Sequence, residues 1–453
     1  MNMSSYRIMK KETKHATILL PKTINIPHSI THISFGTTVI PCKFTTTNTL
    51  TDTIAIPADL FDALHIPFET LSPIFFDEDT LHIGPLIGMF TAGLTNSSSE
   101  PIGARSSFFA DLLSLHPTAS YSFVFSVHSI KWSEGLINGL FYMDGKWQEY
   151  IVPFPHVVYD RLPNRKTENH LRIQRVKHRL QKEYMIPWFN PGFFNKWDIY
   201  QKLKTNKEIN TYLPETALFT SFSRVETMLA EHQHLYIKPT NGSLGSRVYQ
   251  IRYEREEEAY FCRFYQNNKK KLHKYRTLEQ LVNHLFKDQQ LRDFIVQQGI
   301  SLLRFDQQSV DFRVHTNKDR SGNWKLSAIA AKVASRGSMT THVTFGGEVK
   351  SLEELFSDPI HRAEMYTKIS QAAISLSEAI DKVIDGYIGE IGFDIGIDKE
   401  YNVWLFEANS KPGRTIFNHP PLQKYNSLTK NLFLSYATYL TEQSLLRPVE
   451  IYS

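Results

Sequence analysis

Residues 389–414 read GEIGFDIGIDKEYNVWLFEANSKPGR. Within them Ile391–Asp398 and Val403–Ala408 are apolar and partly β-branched, with the polar group Lys399, Glu400, Tyr401 and Asn402 between. That pattern predicts a β-hairpin. If Asp398 faces Val403 across the turn, counting back along both strands sets Asp394 opposite Glu407, with side chains on one face roughly 5 Å apart. Asn409, two residues beyond Glu407, shares that face if the strand runs on. Two facing carboxylates repel, so such a pair in an apolar hairpin calls for a cation between them. Oxygen ligands of this kind suit Mg²⁺, which keeps waters and completes its shell with phosphates. An exposed edge hairpin with scattered acids would carry the same residues.

At 453 residues the chain is too long for one core and implies about two to four domains. Its 51 Lys and Arg against 46 Asp and Glu leave a formal charge of +5. That balance helps hold polyphosphate but is no nucleic-acid signature. Cys42 and Cys262 make neither a disulfide framework nor a zinc site, so a reducing compartment is expected. No apolar run reaches the ~18 residues of a membrane span, and the first residues lack a signal-peptide core. A soluble, cytoplasmic protein is the expectation.

Working back from the hairpin, Val310–His315 and Trp324–Val333 alternate as a second hairpin, with Asp311, Arg313 and His315 on one face. Phe294–Ile300 reads as a strand that breaks at Gly299. Leu235–Pro239 is a strand ending in Lys238-Pro239, followed by the glycine- and serine-rich turn Asn241–Ser246. Glycines there let backbone amides approach phosphate oxygens, although no Gly-Lys-Ser/Thr opens a helix as in a P-loop. Lys196 opens a helix after Pro191-Gly192, and a Pro214-x-Thr216 strand follows. The basic run Arg172–Lys182 reads as a solvated helix face. Residues 1–80 hold short β-type runs punctuated by prolines. From Leu81 to Phe90 a buried strand running into a glycine-containing turn opens a β-α-β unit, with a helix over 106–116 and a strand over 121–127. Ile360–Ile384 is a long helix by its apolar spacing.

The order of these parts over roughly residues 185–415 resembles that of ATP-grasp ligases: the Pro-x-Thr strand, Lys-Pro with a glycine loop, Asp-x-Arg, a later Arg, then Asp and Glu-x-Asn. With Ile83-Gly84-Pro85, Val157–Arg161 and the β-rich beginning, the chain is identified as a member of the YheC/YheD-like ATP-grasp family of spore-forming bacteria, named as endospore coat-associated. The resemblance implies an α/β (α+β) fold. A β-rich domain over 1–80 and a small α/β pre-ATP-grasp domain over 81–165 would precede an ATP-grasp domain over 166–445. The last would comprise a nucleotide lid at about 210–300 and a metal-binding part at about 300–420.

The same resemblance implies ATP and Mg²⁺ as cofactors. Asp394, Glu407 and Asn409 become metal ligands. Lys196, Lys238 and the turn residues Asn241, Gly242, Ser243, Gly245 and Ser246 hold phosphates, and Gln297, Gln298 and Ile300 are hinge positions beside adenine. Arg336 reaches the γ-phosphate or acyl phosphate, where a guanidinium suits phosphate oxygens. Arg313 and Arg414 are candidates for a substrate carboxylate. The implied activity joins a small-molecule or peptide carboxylate to an amine through an acyl phosphate. Spore coat proteins are implied partners, and coat association an implied location. The alternative is a nucleotide-binding or structural coat-associated protein without turnover.

Overall fold

The computed structural model describes residues 5–12, 17–25, 27, 30–114, 121–242, 247–267, 269–287, 289–335 and 346–447. Four sheets organise them. The first, of eight strands, orders Thr38–Pro41, His32–Phe35, Thr80–Ile83, Thr70–Asp77, Ser5–Lys11, Thr53–Pro57, Thr17–Pro21 and Lys43–Thr47. In the second, Tyr121–Phe125, Leu86–Phe90, Val157–Asp160 and Trp188–Phe189 run parallel, and the helix Ser106–Leu113 crosses between the first two in chain order. Phe35, Phe123, Phe154 and Trp188 belong to one buried cluster spanning both sheets.

The run Leu81–Phe90, expected as a strand running into a glycine-containing turn, holds a strand on each side of Gly84-Pro85. Thr80–Ile83 pairs within the first sheet and Leu86–Phe90 within the second. The break falls at Gly84-Pro85, because Pro85 has no N–H to give a ladder and a Cβ on Gly84 would lie 2.7 Å from the His156 ring. The Arg172–Lys182 face also departs from expectation. Arg172 and Arg175 are exposed, but Lys177 is buried against Asp160 at 3.0 Å.

The third and fourth sheets are antiparallel. The third orders Thr216–Leu218, Phe294–Gln298, His234–Pro239, Tyr249–Glu254, Ala259–Gln266 and Lys269–Tyr275. One face packs on the helices Phe222–His232 and Leu278–Phe286 through Val225, Leu229 and Leu281. The fourth sheet orders Glu348–Lys350, Trp324–Val333, Gln308–Lys318, Glu390–Ile397 and Val403–Asn409. Phe312, Val314, Phe393 and Ile395 from its strands cluster with Met365, Ile369 and Leu376 of the helix Pro359–Val383. Since side chains alternate along a strand, Arg313, His315 and Asp394 are left on the opposite face. Among the described residues no helix is long and apolar enough to cross a membrane.

Candidate active site

The hairpin sets Asp394 opposite Glu407, by a route that counting residues does not give. The ladder pairs Ile397 with Val403, Gly396 with Trp404 and Ile395 with Leu405, then shifts by one so that Asp394 meets Glu407 and Phe406 faces no partner. Asp398 does not pair with Val403. Its N–H donates to the Asn402 carbonyl at 3.1 Å. Its carboxylate accepts from the Glu400 N–H at 3.0 Å, the Asn402 N–H at 2.8 Å and Trp404 Nε1 at 2.8 Å, so the turn closes tighter than four free residues would. The bulge at Phe406 restores the register.

Two rows of residues cross the last three strands of the fourth sheet: Arg313, Asp394 and Glu407, then His315, Gly392 and Asn409. Arg313 grips Asp394 with two bonds, Nε to Oδ1 at 3.1 Å and a terminal nitrogen to Oδ2 at 3.0 Å. Lys332 Nζ adds a third at 2.7 Å and reaches Asp311 at 3.0 Å. Burial alone would raise the Asp394 pKa, but Arg313 and Lys332 hold it well below the usual carboxylate range. The cations that the facing carboxylates call for are thus partly supplied by side chains.

Lys196 supplies another. It opens the helix Lys196–Leu203 because Asn195 caps it, accepting from the N–H groups of Trp197 at 2.9 Å and Asp198 at 3.1 Å. Its Nζ lies 3.0 Å from Glu407 Oε1 and donates to the Gly242 carbonyl at 2.6 Å. Lys238, from the third sheet, donates to Gln297 Oε1 at 2.7 Å and to the Phe406 carbonyl at 3.0 Å. Burial pushes its pKa down to about 8, with Glu407 opposing. Asn241 accepts from Asn195 at 2.9 Å. Ser243, Gly245, Ser246 and Arg336 lie outside the described residues.

At the strand break, the Gln298 N–H donates to the Glu215 carbonyl at 2.8 Å and its side chain accepts from the Glu215 N–H at 3.1 Å. Gly299 donates to His234 at 2.8 Å, and any Cβ there would strike the His234 ring at 2.3 Å, so glycine is required by close approach. The cleft between the third and fourth sheets encloses about 30 Å³, and Lys196, Tyr200, Thr216, Gln297, Leu405 and Glu407 are among its lining residues.

The donor set suits a hard cation. The Asn409 side chain has no hydrogen-bond partner among the described residues, and Glu407 makes one contact, to Lys196. An ionised carboxylate offers about four acceptor sites, of which Asp394 uses three, so every member keeps capacity for a ligand bond.

Sequence reasoning missed a second polar cluster beside this face. Tyr159 donates a short hydrogen bond to Glu390. Arg161 pairs with Glu390 at 3.1 Å and donates to the Pro412 carbonyl at 3.3 Å. The fully buried Asn190 bridges the start of the Glu390–Ile397 strand and the residue after the Val403–Asn409 strand: its Oδ1 accepts from the N–H groups of Gly389 at 2.8 Å and Glu390 at 3.3 Å. Its Nδ2 donates to the carbonyls of Glu390, at 2.8 Å, and Ser410. Asp160, also fully buried, accepts from Lys411 at 2.6 Å and Trp188 at 3.1 Å. Arg414 is committed to the C-terminal helix Gln423–Leu446, where it donates to Asn426 Oδ1 at 2.7 Å and to Thr429.

A cleft between two antiparallel sheets, with acids on one sheet and lysines reaching it from the other sheet and a capped helix, is the site of an ATP-grasp protein; a family model described as YheC/D like ATP-grasp matches residues 185–440. The chain belongs to the YheC/YheD-like ATP-grasp family. It is 42% identical over 451 residues to the endospore coat-associated protein YheD of Bacillus subtilis, covering 99% of each chain. It is 21% identical over 282 residues to YheC of the same organism, covering 61% of this chain and 76% of that one. Among solved structures, the D-alanine–D-alanine ligase of Bacillus anthracis complexed with ATP is similar at 12% identity and a TM-score of 0.46, covering 79% of this chain and 99% of that one.

Proposed function

We propose that this protein is an ATP- and Mg²⁺-dependent carboxylate ligase, activating a carboxylate as its acyl phosphate for attack by an amine or similar nucleophile. The observation that carries this reading is the convergence of Lys196 and Lys238, from a capped helix and a facing sheet, on Glu407 and on the carbonyl of Phe406. Both lysines would hold phosphate oxygens. Lys238 now donates to two neutral oxygens, and exchange of these for phosphate gives stronger, charge-assisted bonds. Lys196, Gln297 and Glu407 line the cleft in which the nucleotide would sit. Gln297, Gln298 and Ile300, where the strand breaks, are the proposed hinge positions, meeting adenine through backbone N–H and C=O groups.

Asp394, Glu407 and Asn409 would hold Mg²⁺, which when bound neutralises charge on the transferring phosphoryl group. Arg313 and Lys332 fix the Asp394 carboxylate in place, and Arg336 would meet the γ-phosphate. The substrate carboxylate attacks the γ-phosphorus, the bond to ADP breaks, and the nucleophile then expels phosphate from the acyl carbon. Positioning and electrostatics supply the rate, with no protein nucleophile. The coat-associated names of the relatives support work beside spore coat proteins. The test is phosphate release from Mg-ATP across pools of amino acids, peptides and small carboxylates, in the protein and its Glu407→Gln variant. Release that needs one pool and is lost in the variant is expected. Release that needs no pool or survives Glu407→Gln would refute the reading.

A further inference from the structure

The parallel strands of the second sheet end together at Phe90, Phe125 and Asp160, and just beyond them Arg161 is met by Arg105. Ligands of open α/β sheets bind outside such strand ends. Arg105, at the start of the helix Ser106–Leu113, is half-buried. It donates to Thr91 Oγ1 at 2.7 Å and to the Arg161 carbonyl at 2.6 Å, both neutral. Its guanidinium stands 4.9 Å from the Phe109 ring, and that of Arg161 stands 4.7 Å from the Phe108 ring.

The charges here do not balance. Arg161 has Glu390 at 3.1 Å and Lys430 has Asp111 at 2.6 Å, while Arg105 and Arg414 hydrogen-bond only neutral groups among the described residues. Arg414 spends its Nε and one terminal nitrogen on its helix; Arg105 keeps unused N–H groups among the described residues. Burial and the neighbouring charge of Arg161 push the Arg105 pKa down to about 10, the cost of holding this cation without a counter-ion.

Resting on the ligase reading, we propose that Arg105 binds an oxyanion, a carboxylate or phosphate, of an elongated acidic substrate whose reacting end lies at the Asp394–Glu407 face. Glu390, joined to Arg161, precedes Asp394 on one strand by about 13 Å at the usual strand rise, and Arg105 is joined to Arg161 in turn. The proposed substrate is accordingly one that reaches along this strand, a short acidic peptide.

The test uses two pairs of probes with Mg-ATP and hydroxylamine as nucleophile: succinyl-dialanine against acetyl-dialanine, and O-phosphoseryl-dialanine against seryl-dialanine. Binding is read by calorimetry and turnover by hydroxamate formation, in the full chain and its Arg105→Gln and Arg105→Lys variants. The expected result is at least tenfold tighter binding of one charged probe than of its uncharged partner, lost in Arg105→Gln and partly kept in Arg105→Lys, with ADP affinity unchanged in all three as proof of folding. Which charged probe wins separates carboxylate from phosphate. Equal binding within both pairs, a preference that survives Arg105→Gln, or no binding of either charged probe overturns the proposal. Arg105-dependent binding with no hydroxamate from any probe leaves the anion site standing and counts against the ligase reading instead.

Discussion

Lys238 donates to the main-chain carbonyl of Phe406 at 3.0 Å, and Phe406 is the residue that the Asp394–Glu407 ladder leaves out. The bulge that brings the two acids face to face therefore also turns a carbonyl toward the opposite sheet. Deleting Phe406 would leave Glu407 facing Asp394 in an unbroken ladder but remove the carbonyl that Lys238 meets. Such a variant is predicted to weaken Mg-ATP binding by no more than Lys238→Met, measured by calorimetry on both.

Nucleotide affinity should report the Lys238 proton. With its pKa pushed down to about 8 by burial, the ammonium that meets phosphate is present below that pH and lost above it. ADP affinity is predicted to be flat from about pH 6.5 to 7.5 and then to fall by up to about tenfold per pH unit. Lys238→Arg should carry the plateau past pH 9, and an unchanged inflection there would assign the titration elsewhere.

The two facing acids should fail differently. Asp394→Asn takes from Arg313 its carboxylate partner and leaves Lys332 with Asp311 alone, and is predicted to cost about 3 kcal/mol of stability. Glu407, 24% exposed at its side chain, should cost under about 1 kcal/mol as Gln, yet remove Mg²⁺-dependent activity. Urea unfolding midpoints beside phosphate release distinguish the two.

Asn190 contacts four main-chain groups, of Gly389, Glu390 and Ser410, at the adjoining ends of two neighbouring strands. Asn190→Ala leaves them unpaired and is predicted to cost about 3 kcal/mol. Any folded fraction should show weakened Mg²⁺ affinity, because the strand carrying Asp394 loses its anchor.

Acid should loosen the fold through its buried imidazoles. Burial pushes His156 and His234 down to about 3, with the charge of His82 adding at the first and Arg252 and Arg263 at the second. Unfolded, each titrates near about 6.5, so below that pH the unfolded chain binds more protons. Stability is therefore full above about pH 6.5 and lost progressively toward about pH 3. Urea midpoints should fall between pH 7 and 4, and His156→Gln should flatten part of the slope.

Local signals made much of this legible. Alternation disclosed the hairpins at 310–333 and 391–408, and the Lys238-Pro239 run marked the end of its strand. The Asp394–Glu407 pairing came from a count that was one residue off at the turn. Nothing in the sequence shows that Asp398 closes its own loop, or that Phe406 bulges to compensate. Tyr159, Arg161 and Asn190 were not legible as site residues, since their partners lie 231, 229 and 199 residues away or more. Asn190 before Pro191-Gly192 reads as an ordinary turn residue. Lys177 was misread for the same reason: its surroundings are set by Asp160 and Glu168, not by its helix.

Carboxylate activation itself is open to one direct measurement. Once a pool supports phosphate release, its active carboxylate can be labelled with ¹⁸O on both oxygens and turned over with Mg-ATP and the nucleophile. Attack on the γ-phosphorus predicts that each released phosphate carries one ¹⁸O from the carboxylate. Unlabelled phosphate, formed at the same rate with and without the carboxylate, would contradict the ligase account and leave a nucleotide hydrolase or binding protein in its place.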